Sequence, residues 1–510
     1  MRRLKNMNFE RENNLLLGID LGTSLIKVGA FTSGGEVVSL DTAPTPMTWS
    51  GPEQAHHDPL ELWEVVCGSL KQVMLKIDPK KLACVGISSF GEAGVLVSID
   101  GTAQTSILAW FDTRPIGLLE GLDLQALQRR TGVPADHTYS LSKILWHAKQ
   151  LEMRGLTWLS TADWIAYRLT GVMQMGVTQA SRTLLFDLRS QTWLTDVLQD
   201  CGLPVNVLAP IRLPGEQIGM VTPQASSQTG LPIGLPVMEA AHDQACAAAG
   251  VGAIEPGIFL NACGTVETLF TTLGKEQLDS ALESQSIVLG HHALSGRYWA
   301  MATMRASGSV FDWAIRLTNK LEPGSEISSE LYEHVLDAAS RVEPDELKFI
   351  PHLRQISDDP RAISLPGGVF FGLRETHAHG HLIRAVLEGL SLEAAGLLER
   401  FGPIPEHALI RAVGGPSRNP IWMQFKANFY NLPLEVCSNT NASTWGAAWL
   451  AWHHLNAARG IKIPASQITR DVLYQPEISA AEATKTRTQY SSRVEAFNRV
   501  LEHKQNDSSR

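Results

Sequence analysis

Asp243 sits where the strand VMEAAH (237–242) gives way to an Ala-rich helix. A second strand and a tight Cys263-Gly264-Thr265 turn follow. A carboxylate at such a junction lies at the exposed edge of an α/β sheet, where ligands bind. A Gly-Thr turn between apolar strands offers backbone N–H groups and a hydroxyl, the donors that phosphate oxygens need. The same device occurs near the start of the chain, where LLLGIDLGTSLIKVGAF (15–31) reads as strand, Asp20-x-Gly22-Thr23, strand. The two turns lie about half the chain apart. This predicts two like domains closing on one nucleotide, with Asp243 as the group that does chemistry. The other reading of Asp243 is a helix N-cap, a role Asp serves well. His242 beside it either orients Asp243, bonds a ligand hydroxyl, or is a satisfied structural histidine.

The elements that must position these groups follow in order. In GPEQAHHDPLELWEVVCGSLKQVMLK, Asp58 is the predicted N-cap, Pro59 the first helical residue and Glu61 the partner of a capping box. Trp63, Val66, Leu70, Val73 and Met74 then share one helical face and form core. The strand ACVGIS runs into the loop Phe90-Gly91-Glu92-Ala93-Gly94, and the strands VLVSI and SILAW bring Trp110 to a loop end. Segment 158–171 reads as a helix stopped by Gly171, with GVTQASRTLLFD as a polar loop and an apolar strand. MRASGSVFDWAIRL (304–317) is a Gly-centred bend opening a helix, and 380–401 is the longest amphipathic pattern. ALIRAVGG is a buried strand ending in Gly414-Gly415, after which Asn419 caps a helix beginning at Pro420.

At 510 residues the chain exceeds what one core usually supports, so two domains are expected. Its 52 acidic and 43 basic residues give a net charge of −9 without a long basic run, which argues against a nucleic-acid surface. The six cysteines show no CxxC spacing, so neither a zinc site nor a disulfide framework is indicated. The basic start MRRLKNMNFERENN lacks the apolar core of a signal peptide, and no run approaches a membrane span. A cytoplasmic protein is expected, without membrane or nucleic-acid partners, and a homodimer stays open. The polar tail EHKQNDSSR is expected to fray.

Together these pieces resemble the FGGY carbohydrate kinases, a branch of the actin-like ATPase fold, over roughly residues 15–455. The strongest element is GVFFGLRETHAHGHLIRAVLE (368–388), which follows the family's C-terminal signature through His381-Leu382, Ala385 and Glu388. Ser140, Lys143, Trp146, Lys149 and Gln150 fit the N-terminal signature, while His147 and Thr138 depart from it. Glu53-Gln54, Asp58-Pro59, Trp63 and Ala180-Ser181-Arg182-Thr183 are smaller echoes. The resemblance implies two α/β, ribonuclease H-like domains with a nucleotide cleft between them. They would span 14–254 (sugar and catalytic base) and 255–455 (nucleotide), with an extension at 456–510. It implies Asp243 as catalytic base and Glu92, Trp110, His242 and Gln244 around the sugar. Asp20 would hold Mg2+. Gly22, Thr23, Ser24 and Lys27 would form the first phosphate loop and Gly264 and Thr265 the second. Gly308 and Asp312 would line the nucleotide site, with Gly415 and Asn419 around the adenosine.

The implied reaction is phosphorylation of a sugar hydroxyl by ATP with Mg2+, most nearly of a ketopentose such as xylulose. Glycerol kinases carry Arg-Glu, and xylulose kinases Met-His, where this chain has Gly91-Glu92. A polyol, a deoxyhexulose and gluconate are the alternative acceptors. A non-catalytic actin-like scaffold is the alternative outside enzymes.

Overall fold

The run LLLGIDL is apolar almost throughout, which suits a strand covered on both faces. In the computed structural model, which describes residues 14–304, 307–353, 367–438, 441–461 and 470–508, it forms strand β1 (Leu15–Leu21), buried at every position. β1 pairs antiparallel with β2 (Leu25–Thr32), which pairs with β3 (Val37–Pro44). On its other side it runs parallel to β4 (Leu82–Ser89). Beyond β4 lie β6 (Pro236–His242), parallel to it, and β5 (Gln217–Met220), antiparallel to β6. The order of this six-stranded sheet is β5-β6-β4-β1-β2-β3. Three parallel strands thus end at one edge.

The described chain packs as two compact units. One comprises Met1–Pro256, Thr272–Ala300 and Asn441–Ile468, the other Gly257–Thr271, Met301–Thr440 and Thr469–Arg510. Two later segments, Thr272–Ala300 and Asn441–Ile468, thus pack with the first unit. The reason is clearest for the helix Ala442–Ala457 (ASTWGAAWLAWHHLNA), apolar nearly all round, which covers β1, β4 and β6 and the helix Asp243–Gly250. Its approach is backbone to backbone. A Cβ on Gly18 would overlap the carbonyl of Thr444, one on Gly86 that of Ala447, and one on Gly446 that of Cys246. Gly446→Ala therefore tests the packing by its sign. Loose packing would let alanine's better helix propensity stabilise by about 1 kcal/mol. The observed overlap predicts a loss of about 1–3 kcal/mol instead, read from urea unfolding midpoints.

In the second unit, β7 (Ile258–Cys263) pairs antiparallel with β8 (Glu267–Gly274) and parallel with β9 (Leu409–Val413). β10 (Leu434–Cys437) and β11 (Arg470–Tyr474) continue outward from β9. The helix His379–Glu399 is the long amphipathic element expected over 380–401. The helix Ala480–Ser508, rich in good helix formers, extends into the tail expected to fray as far as Ser508, the last described residue. Tyr490 anchors that helix, its buried hydroxyl donating to Glu393 Oε1 at 2.8 Å.

Local signals elsewhere match. Asp58 accepts from the N–H groups of Leu60 and Glu61 at the head of the helix Pro59–Met74, and the expected stripe of that helix is buried. Two boundaries shift. Residues 156–160 extend as a strand before the helix Thr161–Thr170, and a short helix, Val177–Ala180, replaces the start of the expected polar loop. Among the described residues no helix is long and apolar enough to cross a membrane.

Candidate active site

Register brings the first set of site residues level at the strand edge. Asp20 on β1 stands beside Ser88 on β4, and Ser89 beside His242 on β6. Asp243 follows as the first residue of the helix Asp243–Gly250, which carries no side-chain cap bond at its start. The N-cap position is held by His242, so Asp243 stands one residue inside the helix. Its Oδ1 accepts from the Gln244 N–H at 2.6 Å and lies 3.3 Å from His242 Nε2, and its side chain is 27% exposed. Burial first, and then the neighbouring charges of Asp20 and Glu92, push its carboxyl up to about 8. A carboxyl tuned to that value accepts a proton near neutral pH far better than an ordinary one.

His242 is buried, its backbone N–H donates to Thr178 Oγ1 at 3.0 Å, and its ring lies 17° from parallel with that of Trp299 at 6.2 Å. Burial, with help from the Arg182 charge, holds its pKa well below the usual imidazole range. The neutral ring can therefore hold an Asp243 oxygen without neutralising it. The Gln244 side-chain carbonyl is buried without a hydrogen-bond partner.

The first Gly-Thr turn is held by Gly22 N–H donating to Leu25 O at 3.0 Å and Thr45 Oγ1 donating to Gly22 O at 2.7 Å. A Cβ on Gly22 would come 2.9 Å from the Leu25 carbonyl oxygen. Ser24 is exposed at the turn, and Lys27 stands across the strand pair from Asp20. Trp110 reaches the same loop, its indole N–H donating to Thr23 Oγ1 at 3.1 Å. Behind it the buried Lys143 donates to the carbonyls of Trp110 and Thr138, and burial lowers its pKa to about 8. Asp20 is 6% exposed. Its Oδ2 accepts from Ser443 Oγ at 2.5 Å, whereas Oδ1 is buried with no partner. Burial raises its pKa. An open carboxylate oxygen of this kind fits Mg2+, a cation that takes few protein carboxylates and keeps several waters. Among the described residues no group of three or more metal-binding side chains competes for that role.

The second unit assembles the other set. Gly308 N–H donates to Gly264 O at 3.0 Å, and Ser309 Oγ to Thr265 O at 3.2 Å, which pins the second Gly-Thr turn to the start of the helix Gly308–Thr318. A Cβ on Gly308 would stand 2.7 Å from Gly264 O. Asp312 lies one turn into that helix, its pKa raised by burial. Asn419 caps the helix Pro420–Tyr430 through Trp422 N–H at 3.0 Å, as expected, and Gly415 lies in the turn just before it. Beneath the Gly-Thr turn is a wholly buried ion pair. Lys426 Nζ reaches Glu267 Oε1 at 2.5 Å and Asn261 Oδ1 at 3.0 Å, while Ser307 Oγ donates to Glu267 Oε2 at 2.8 Å. It ties both strands of the hairpin to the helix start.

Family models match nearly the whole of this framework. The N-terminal domain model of the FGGY family of carbohydrate kinases covers residues 15–250, and its C-terminal domain model covers 259–455. The chain belongs to that family. It is an ATP-dependent carbohydrate kinase with the family's two-domain actin-like fold. The kinase is 26% identical over 463 residues to the L-fuculokinase of Escherichia coli K12, covering 87% of this chain and 93% of that one. It is also 26% identical over 510 residues to the glycerol kinase of Parabacteroides distasonis, covering 96% and 98%. The crystal structure of xylulose kinase from Rhodospirillum rubrum matches the fold with a TM-score of 0.84 at 23% identity, covering 95% of the kinase and all of that chain.

Several site residues of the kinase had no role on sequence grounds. Ser443 joins Asp20 from the far end of the chain, and Lys426 and Glu267 are ordinary surface residue types that turn out fully buried. In the sequence Arg182 belongs only to the four-residue echo Ala180–Thr183. It forms a buried ion pair with Glu92, the carboxylate expected to meet sugar hydroxyls, at 2.5 Å from Nε to Oε1. A lone arginine ahead of the apolar run TLLF was the one signal available for it.

Proposed function

We propose that this kinase transfers the γ-phosphoryl group of ATP to the terminal hydroxyl of a ketopentose such as xylulose, with Asp243 as the base. The reading rests on one observation above all: a partly exposed carboxylate, one residue inside a helix, at a sheet edge crowded by two further carboxylates. Asp243 takes the hydroxyl proton as the new O–P bond forms and the bond from γ-phosphorus to the ADP oxygen breaks. His242 holds the base in place from Nε2. Trp110, tied to Thr23, connects the sugar side to the first phosphate loop, and Gln244 offers its unpartnered carbonyl to a substrate hydroxyl. Mg2+ would neutralise phosphate charge, and Asp20 is the residue that would hold it. Gly22, Thr23, Ser24, Lys27, Gly264 and Thr265 serve the phosphates, and Gly308, Asp312, Gly415 and Asn419 the nucleoside. Five of the six cysteines are buried thiols, which suits the cytoplasm.

A polyol acceptor is the second reading, supported by the Arg182–Glu92 pair, which sets an arginine against Glu92 although the residue before it is Gly91. ADP release measured across pentuloses, hexuloses, polyols and sugar acids decides between the two. Turnover with glycerol and none with any pentulose would overturn the first. The nucleotide assignment has its own test in Gly415→Val. A Cβ there meets no protein atom within 4 Å, so the fold should tolerate the change. The expected result is a KM for ATP raised roughly tenfold or more, equivalent to about 1.4 kcal/mol, at an unchanged sugar KM. A shift in the sugar KM alone would move adenosine elsewhere.

A further inference from the structure

Arg182 is almost fully buried, at 6% exposure, yet its guanidinium is only partly used. Nε and Nη2 both meet Glu92 Oε1, while Nη1 is buried with no hydrogen-bond partner. A buried donor left open costs about 1–3 kcal/mol, and folded proteins keep few of them without a use. The group is also held still. Its carbon lies 5.2 Å from the centre of the Tyr139 ring and 5.5 Å from that of Trp299, which fixes the guanidinium against both. Its backbone belongs to a segment anchored on several sides. Arg182 N–H donates to Gln179 O at 2.9 Å, Leu141 N–H to Thr183 O at 2.9 Å, and His291 N–H to Ser181 Oγ at 2.9 Å.

The position is beside His242 and Gly91, at the residues proposed to meet the substrate. The segment that carries Arg182 also supplies Thr178, which holds the His242 backbone. The space beside Gly91 is filled jointly: a Cβ there would stand 3.1 Å from Arg182 Cγ and 2.9 Å from the His242 ring. Glu92 adopts a left-handed backbone (φ 63°), which costs a non-glycine residue about 1–3 kcal/mol and is held by Ser140 Oγ on its carbonyl at 3.0 Å. Strain, an open donor and a paired charge thus converge one residue from Asp243's neighbour.

We infer that Arg182 is a specificity-determining residue, donating from Nη1 to an uncharged oxygen of the substrate, so that the Arg182–Glu92 pair selects a neutral polyhydroxylated acceptor over a sugar acid. This rests on the carbohydrate-kinase reading of the Asp243 site. The selection follows from charge. Glu92 answers the guanidinium at contact, and Lys143 is turned to backbone carbonyls, so neither cation is left in surplus for a substrate carboxylate. A hydroxyl or carbonyl oxygen needs only the one open N–H.

The test compares wild type, Arg182→Lys, Arg182→Met and the double variant Arg182→Met/Glu92→Gln on neutral ketoses, polyols and the corresponding sugar acids. The double variant removes both buried charges and serves if Arg182→Met, which strands Glu92, fails to fold. Expected is a rise of about 10–150-fold in the KM of the preferred neutral acceptor, the size of one charged hydrogen bond, with the ATP KM unchanged. One monodeoxy analogue should cost wild type the same factor and the variants nothing more. An unchanged acceptor KM, a full additional loss in the variants with every deoxy analogue, or a wild-type preference for a sugar acid overturns the inference. ADP release that ignores every acceptor, or that survives Asp243→Asn, would instead overturn the kinase site itself.

Discussion

Asp243→Asn loses roughly 10²–10⁴-fold in kcat, the usual reach of general acid–base catalysis, while ADP binding measured by calorimetry stays as in wild type. The amide keeps the shape of the side chain and cannot accept the hydroxyl proton. The wild-type pH profile carries the same information. With its carboxyl at about 8, Asp243 is largely protonated at pH 6, so kcat/KM climbs with pH and levels above that value. Stability moves the other way. The folded carboxyl titrates above the ordinary 3.8, so between the two values the native state holds a proton that the unfolded chain has released. That contribution is complete at low pH and is lost as pH rises through about 8. Asp243→Asn should therefore gain on wild type in urea unfolding from pH 5 to pH 8. Parallel curves for the two proteins would mean an ordinary carboxylate and remove the base.

Lys426→Met is the largest expected loss of stability, about 3–5 kcal/mol, because it leaves Glu267 as an uncompensated buried charge. Lys426→Met/Glu267→Gln should recover a large share of it, since removing both charges of a buried pair is often close to neutral. The hairpin that carries Gly264 and Thr265 hangs on this pair, so the single variant should also lose ADP affinity. Thermal melts with and without ADP read both effects. A single variant that melts with wild type would show that the pair contributes nothing to stability.

What could be read from sequence was local. Asp58, Pro59 and Asn419 are capping residues whose hydrogen bonds reach only two or three positions ahead, so their types announce them. Asp20 and Asp243 stand at strand ends, and a strand end is visible as a change in residue pattern. Partners brought together by folding left no such trace. Glu92 and Arg182 lie 90 positions apart, Glu267 and Lys426 159, and Asp20 and Ser443 423. Arg182, Glu267, Lys426 and Ser443 show no such partner when met in the chain. Trp110 illustrates the intermediate case. Its place at a loop end was legible, but the direction of its N–H, toward Thr23 and the phosphate loop, depends on the neighbouring turn.

The glycine-lined seat of the helix Ala442–Ala457 also sets an order of events during translation. The strand that carries Asp20 and the one that leads into Asp243 emerge early, but the helix that shields their apolar face is made only after most of the second unit has been synthesised. Until then that face is open to chaperones and to other nascent chains. A gene fragment ending near residue 256 would therefore yield a sticky half-protein. A soluble fragment of the first unit would have to carry residues 441–461 with it, for instance relinked ahead of residue 14.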